Sequence, residues 1–161
     1  MIITTPTDRE ILVTKEFAAP RRLVFEAHTR PELLKRWFGP HAWRLEVCEI
    51  DLRPGGCWYY LMRGPGGTTM TLRGTYLEIV EPERIVATES NVDCEARAAH
   101  ESVGTLVFTE HAGRTTLTNT IRWPSKEIRD SVLSSGMRRG LGEGLDRLTE
   151  LLAATTRAAP R

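Results

Sequence analysis

Residues that could supply acid, base or metal chemistry are scattered along this chain. The four histidines are His28, His41, His100 and His111. The three cysteines are Cys48, Cys57 and Cys94. No HExxH or comparable His/Cys spacing occurs, and no two cysteines form a CxxC pair, so the sequence predicts neither a metal site nor a disulfide framework. We expect no metal and no cofactor.

Acid–base catalysis by a few pocket groups is the remaining enzymatic hypothesis. Glu26, His28, Glu49 and Asp51 could project inward, although for Glu26 and His28 a charged helix surface is the simpler interpretation. We expect His111, in a hairpin turn, to be solvated. There is no GxSxG elbow, phosphate loop or dinucleotide fingerprint. We therefore predict that the protein is not an enzyme, and a cavity without an inward ionisable group would dismiss a cyclase- or hydrolase-like activity.

A largely apolar wall is the stronger functional signal. In the segment Cys57 to Arg63, alternation places Trp58, Tyr60 and Met62 on one face. An apolar cavity with a few polar groups is typical of a small-molecule site. The predicted ligand-binding residues are Trp37, Phe38, Trp58, Tyr60, Met62, Tyr76, Asn119, Met137, Leu141 and Leu145. The alternative is that the same residues form an ordinary core.

A long amphipathic helix must face that wall. Helical spacing over Ser125–Leu152 gathers the apolar side chains within an arc of about 120°. A helix of about 28 residues would be about 42 Å long, enough to cross a small sheet. Glycines recur at Gly136, Gly140 and Gly144, which indicates close packing, a kink or room for a guest, and we favour close packing.

The remaining elements are strands and two short helices. A first strand is expected at Ile11–Phe17, and short helices at Arg21–Ala27 and Glu32–Trp37, after Pro20 and Pro31. Six further strands are predicted at Arg44–Leu52, Cys57–Arg63, Thr68–Val80, Arg84–Ser90, Ser102–Glu110 and Thr115–Trp123. Short turn-forming separators favour an antiparallel meander. The polar stretch Asn91–Glu101 is expected to line an opening. The fold class is therefore α+β, with helices on one face of a sheet.

Composition limits the alternatives. The formal net charge of +1 gives no electrostatic footprint for nucleic acid. No apolar run is long enough for a membrane span, and the start lacks a secretory signal, so we predict a cytoplasmic protein. The length suits a single domain over residues 1–161, with an ordered core of about 9–152 and loose ends at Met1–Thr7 and after Leu152.

Four segments together resemble one known family. They are FEAHTRPELLKRWFGP (Phe25–Pro40), CEIDLRPGGCWYYLMRGPGG (Cys48–Gly67), RGTYLEIVEPERIV (Arg73–Val86) and LGEGLDRLTELL (Leu141–Leu152). The chain is identified as a member of the family named after the activator of the ninety-kilodalton heat-shock protein ATPase. This family lies within the START-like (SRPBCC) superfamily. The resemblance implies a helix-grip fold, in which a curved antiparallel sheet grips a long C-terminal helix around a deep cavity.

The resemblance also frames the functional hypotheses. The superfamily binds hydrophobic molecules, so a small hydrophobic or aromatic guest between sheet and helix is the first hypothesis. The second is a chaperone-cofactor or other interaction module, or a homodimer, using the outward Tyr59 and Leu61. Two departures from the family pattern bear on any guest. Leu141 follows Gly140 where many relatives have tryptophan, and His28 stands where an aromatic residue is common.

Overall fold

The computed structural model describes residues 1–92 and 101–158. The strands are β1 (Ile2–Thr4), β2 (Glu10–Phe17), β3 (Arg44–Ile50), β4 (Cys57–Arg63), β5 (Thr69–Val80), β6 (Arg84–Asn91), β7 (Ser102–His111) and β8 (Arg114–Arg122). The helices are α1 (Arg21–Thr29), α2 (Pro31–Trp37), α3 (Lys126–Ser134) and α4 (Met137–Ala158), and a short 3-10 turn spans Pro65–Gly67.

All of these strands form one antiparallel sheet. Their order is β1-β2-β8-β7-β6-β5-β4-β3, so β3 to β8 follow one another as a meander and β2 pairs with the last strand. The pairing of Ile11 with Ile121 and of Phe17 with Thr115 fixes the register of β2 on β8. The predicted antiparallel meander is confirmed. Each predicted strand from β2 onward lies within two residues of its observed bounds.

Alternation along the strands decides which face is buried. In β2, Ile11, Val13 and Phe17 are buried while Glu16 is exposed. Trp58, Tyr60 and Met62 are likewise buried in β4, as alternation predicted. The apolar stripe of α4 faces the same interior through Leu145, Leu148, Leu151 and Leu152. The sheet and α4 therefore share one core.

The long helix is interrupted. Sequence periodicity predicted one helix over Ser125–Leu152, but the structure has α3 and α4, separated at Ser135 and Gly136. Gly136 has φ of +86°, a backbone conformation that residues with a Cβ rarely adopt. A Cβ at Gly136 would meet no atom within 4 Å, so this glycine serves the bend and not a close contact. The single-helix prediction was wrong because hydrophobic spacing continues across the break.

Both ends of the chain are more regular than predicted. The segment Met1–Thr7 was expected to be loose, yet Ile2–Thr4 pairs with the outer edge of β2. Ile3 also packs against the core, which holds the strand in place. At the other end, α4 continues past Leu152 to Ala158. The Thr155 and Thr156 hydroxyls donate to backbone carbonyls one turn earlier in this helix. The predicted end at Leu152 was therefore six residues too early.

Candidate functional site

A cavity of about 550 Å³ lies between the inner face of the sheet and the helices. Small-molecule sites commonly have volumes of this order. All of the residues predicted to bind a ligand line it: Trp37, Phe38, Trp58, Tyr60, Met62, Tyr76, Asn119, Met137, Leu141 and Leu145. The structure thus brings these side chains together around open space. Their role in binding a ligand stays a prediction.

The sheet side of the cavity carries a chain of touching aromatic rings. The Trp58 and Tyr60 ring centroids are 4.6 Å apart, and Phe38 stands edge-on to Tyr60 at 5.1 Å. Trp37 continues the chain at 5.7 Å from Phe38, and its indole nitrogen donates to the Ala27 carbonyl at 2.8 Å. Such edge-to-face pairs hold the rings in fixed orientations. Trp37 is buried and forms part of the wall.

Two phenol groups add polarity to this wall. The side chains of Tyr60 and Tyr76 interact through their hydroxyls. Burial raises the pKa of both phenols above the ordinary value, because a charged phenolate loses its hydration there. Both hydroxyls are therefore protonated at neutral pH. They can donate hydrogen bonds as well as accept them.

The helix wall is formed by Met137, Leu141 and Leu145, and its glycines approach a neighbouring loop. A Cβ at Gly140 would lie 3.2 Å from Pro40 Cγ, and one at Gly144 would lie 3.3 Å from the Gly39 carbonyl oxygen. Close packing at these two glycines therefore occurs, but the partner is the loop after α2, not the sheet. Both glycines also border the cavity, so the glycine stripe serves packing and open space together.

At one end of the cavity, which we name the His28 end, His28 packs between Trp37 and Phe108. The ring centroids are 4.9 Å and 5.3 Å away. His28 Nδ1 lies 2.8 Å from the Val24 carbonyl oxygen and donates to it, which leaves Nε2 as the acceptor. Burial lowers the pKa of His28 to about 4, so the ring is neutral at pH 7. The expectation of a surface histidine was wrong, since α1 turns this side chain inward.

At the other end, which we name the Glu89 end, Glu89, Ser102 and Trp123 border the cavity. Glu89 and Ser102 are paired in register on β6 and β7. Burial is the sole cause that raises the pKa of Glu89, and the described residues place no ionic partner beside its carboxyl. Phe108, which packs against His28, is six residues further along β7 than Ser102. The His28 end and the Glu89 end of the cavity therefore lie about 20 Å apart.

Sequence reasoning missed Glu89, although a signal was present. Ile85, Ala87, Glu89 and Asn91 alternate along β6 and all line the cavity. Extending the apolar face of Ile85 and Ala87 by two residues would have placed Glu89 inward. Lys15 also lines the cavity, but its ammonium group lies 3.2 Å from Asp146 on α4. The requirement for an inward ionisable group, set for an enzymatic activity, is therefore met.

Two polar atoms on the cavity wall have no hydrogen-bond partner within the described part of the chain. They are Asn119 Oδ1 and Trp123 Nε1, one an acceptor and the other a donor. Asn119 stands between Val13 and Leu106 on neighbouring strands, where no donor is at hand. Leaving a buried polar atom unpaired costs about 1–3 kcal/mol, so such atoms are rare without a reason.

The other candidate residues lie outside this site. Glu49 and Asp51 are exposed, and Glu26 pairs with Arg22 at 2.8 Å on the surface of α1. His111 is exposed, as expected for a hairpin turn. Cys94 and His100 lie outside the described residues, while Tyr59 and Leu61 are half-buried on the outer face of the sheet. Within the described ranges, no group of three potential ligands is placed to hold a metal ion.

Comparison with known proteins agrees with this architecture. A protein from Rhodobacter sphaeroides superposes with a TM-score of 0.87 at 26% identity, over 95% of this chain and 98% of that one. A Mycobacterium smegmatis protein gives 0.84 at 28% identity, over 96% and 98%. The AHSA1 protein of Silicibacter pomeroyi, at 21% identity and a TM-score of 0.73 over 91% and 99%, shares the fold. Curated proteins give no match.

The helix-grip α+β fold expected from the sequence is confirmed by these structures. None of the helices in the described residues is both long and apolar enough to cross a membrane. The family model described as "Activator of Hsp90 ATPase homolog 1-like protein" matches residues 18–153, which is most of the chain. The chain therefore belongs to the Activator of Hsp90 ATPase homolog 1-like family.

Proposed function

We propose that this protein is a non-enzymatic, cytoplasmic binding protein for a small hydrophobic or aromatic molecule. The observation that carries the proposal is the cavity of about 550 Å³ between the sheet and the helices. Its wall combines packed aromatic rings with aliphatic helix residues and a few polar atoms. A protein core packed at the usual density would not leave a cavity of this volume.

The physical chemistry of the wall favours an apolar guest. Transfer of apolar surface from water yields about 25 cal/mol per Å², part of which offsets the loss of freedom on association. The rings of Trp58, Tyr60 and Phe38 are already packed against one another, so little ordering is needed when a guest enters. Asn119 Oδ1, which lacks a partner in the described structure, would accept a hydrogen bond and orient the guest.

A cavity-filling variant tests the proposal. Gly104 lines the cavity, and a Cβ there would lie 3.6 Å from Asn119 Oδ1, which is ordinary contact. Gly104→Leu should therefore fold and occupy the space with its own side chain. With naphthylmethanol as a neutral aromatic probe, calorimetry should show binding to the wild type and at least about tenfold weaker binding to the variant.

Thr105→Leu is the matched control, because alternation along β7 directs the same side chain to the opposite face of the sheet. This variant should bind the probe like the wild type. Equal affinity for Gly104→Leu and the wild type would place the probe elsewhere. Absence of binding to the wild type, for naphthylmethanol and for a panel of lipid and polyketide probes, would remove the proposal.

A second candidate is an interaction module, because the family takes its name from activation of the Hsp90 ATPase. Tyr59 and Leu61 are half-buried on the outer face of β4, beside the charged Glu49 and Arg73 on the flanking strands. The double variant Tyr59→Lys/Leu61→Lys should abolish association with a chaperone or a second copy if this face binds it. If pull-down and sedimentation show that the two lysines leave association unchanged, the interaction-module hypothesis for this face is wrong.

An enzymatic alternative on the same fold would use Glu89 or His28, which both border the cavity. The neutral His28 ring accepts only at Nε2, Lys15 is paired with Asp146, and Glu26, Glu49 and Asp51 lie outside the cavity. Mass spectrometry of the guest before and after incubation with the protein distinguishes a carrier from a catalyst. A carrier returns its guest unchanged.

A further inference from the structure

Glu89 places a carboxyl group on the wall of a largely apolar cavity. Its side chain lines the cavity, and the described residues supply no cation and no side-chain hydrogen bond to it. Other carboxylates show the contrast, since Glu26, Glu46 and Glu143 each have an arginine partner within 2.8 Å. The Glu89 side chain is accessible to solvent in the open cavity, so its carboxylate becomes uncompensated when a guest displaces the water around it, unless the guest supplies a counter-charge.

The strand register puts aromatic residues on both sides of this carboxyl. Arg73 pairs with Ser90 and Tyr76 pairs with Ala87, so Gly74 lies opposite Glu89. Trp58 pairs with Gly74 on the next strand, and a Cβ at Gly74 would lie 2.6 Å from Trp58 Nε1. The indole nitrogen of Trp58 therefore lies against the glycine, and Gly74 itself places no side chain between Trp58 and Glu89.

The same row continues in the other direction. Glu89 pairs with Ser102, and Val103 pairs with Arg122, so Trp123 follows next to Ser102. Neighbouring strands are about 4.8 Å apart, which places the backbones of Trp58 and Trp123 each about 10 Å from that of Glu89. In the register of the sheet, Glu89 therefore lies between Trp58 and Trp123, in a row that crosses four strands and ends one residue past β8.

A carboxylate flanked by aromatic rings is a receptor for a cation. A protonated amine satisfies the carboxylate by a charge-assisted hydrogen bond and is attracted to ring faces within about 6 Å. A neutral guest leaves the carboxyl uncompensated, and an anionic guest is repelled by it. We propose that the guest is a lipophilic amine: an apolar body carrying one protonated nitrogen, which binds Glu89 between Trp58 and Trp123.

This inference rests on the proposed binding function and narrows it to one chemical class. Partial desolvation raises the pKa of Glu89, which is the direction expected for a carboxyl without a counter-ion. Tyr76 and Asn119 lie one row and two rows from Glu89 in the direction of the His28 end, on the same cavity wall. The apolar body of the amine would extend from Glu89 past these groups toward the His28 end.

Two probes of the same shape test the proposal on the full chain. Naphthylmethylamine is protonated at neutral pH, as a lysine side chain is, and naphthylmethanol is its neutral counterpart. Calorimetry should show the wild type binding the amine at least about tenfold more tightly than the alcohol. Glu89→Gln keeps the shape and removes the charge, so it should abolish that preference, and the affinities for the amine and the alcohol should become similar.

Glu49→Gln is the matched control, since this carboxyl is exposed and lies outside the cavity. It should keep the preference for the amine. Equal binding of the two probes by the wild type, or a preference that survives Glu89→Gln, would overturn the lipophilic-amine inference while leaving the binding function intact. Failure of both probes to bind would count against the binding function itself, and so against both.

A measurement on the wild type does not depend on how the variant folds. Carbon-13 NMR of the Glu89 carboxyl, followed through a pH titration, should show its pKa fall when naphthylmethylamine is bound, because the ammonium group stabilises the carboxylate. Naphthylmethanol should produce no such fall. An unchanged titration in the presence of bound amine would place the nitrogen away from Glu89 and overturn the inference.

Discussion

The two ends of the cavity treat their polar groups in opposite ways. At the His28 end, His28 Nδ1 and Trp37 Nε1 each donate to a helix carbonyl at 2.8 Å. At the Glu89 end, the Trp123 indole nitrogen has no partner in the described structure and the Glu89 carboxyl has no counter-ion there. The first end is complete without a guest. The second end has polar groups available for one.

This difference separates structural polarity from functional polarity. A polar side chain whose partner is the backbone of its own helical region contributes to the fold, and its loss should be seen in stability. A polar side chain without a partner contributes little to the fold, and its loss should be seen in binding. The cavity wall contains both kinds, so lining a cavity does not by itself identify a binding residue.

The largest effect that distinguishes the ends is the response to acid. His28 has a pKa of about 4 in the folded protein against an ordinary value of 6.5, so below pH 6.5 the unfolded chain binds the extra proton. Its contribution to stability is complete above that pH and is lost as the pH falls toward 4. We expect a loss of about 2 kcal/mol over this range, with cavity water reducing the effect.

Denaturant unfolding of His28→Phe measures this contribution. The variant keeps a ring between Trp37 and Phe108 and cannot take up a proton, so its stability should vary less between pH 6.5 and pH 4. His111→Gln, at an exposed hairpin, should retain the pH dependence of the wild type. An acid response of His28→Phe as steep as that of the wild type would contradict the burial of the neutral ring.

A smaller effect of opposite sign is expected at the Glu89 end. The pKa of Glu89 is raised, so the folded protein holds its proton more tightly than the unfolded chain does. Stability from this group is present at low pH and is lost as the pH rises through the folded pKa. Glu89→Gln should therefore raise the free energy of unfolding at about pH 8, by up to about 1 kcal/mol because cavity water solvates part of the carboxyl.

Thermal unfolding at high and low pH measures the change. The gain should shrink at about pH 4, where the wild-type carboxyl is protonated and resembles the amide. Glu49→Gln, on the exposed outer face, should show no such gain. A loss of stability in Glu89→Gln at high pH would mean that the carboxylate has a structural partner, and would remove the contrast between the two ends.

Local pattern was sufficient to predict most of the fold. The bounds of β4 match the prediction, because its aromatic alternation is bracketed by the turns at Pro54–Gly56 and Gly64–Gly67. The residues expected around the cavity could be named because alternation fixes one face of β4 and helical spacing fixes one face of α4. Packing then brought the two faces together.

What the sequence missed depends on tertiary packing. The bend at Gly136 interrupts an apolar stripe that does not change across it, so periodicity carries no sign of the break. Glu89 faces inward because β6 keeps its alternation to the end of the strand, whereas hydrophobicity alone favours an outward carboxylate. His28 faces inward because α1 packs on β7 beside Phe108, a contact between residues far apart in the chain.

The most direct test is to locate a bound aromatic probe by NMR. With naphthylmethanol bound to the wild type, nuclear Overhauser contacts should join its ring protons to the methyl groups of Met62 and Met137, on opposite walls of the cavity. Contacts to both walls are the predicted result. Contacts confined to residues of the outer sheet face, such as Leu61 or Leu77, would contradict a guest held between the sheet and the helices.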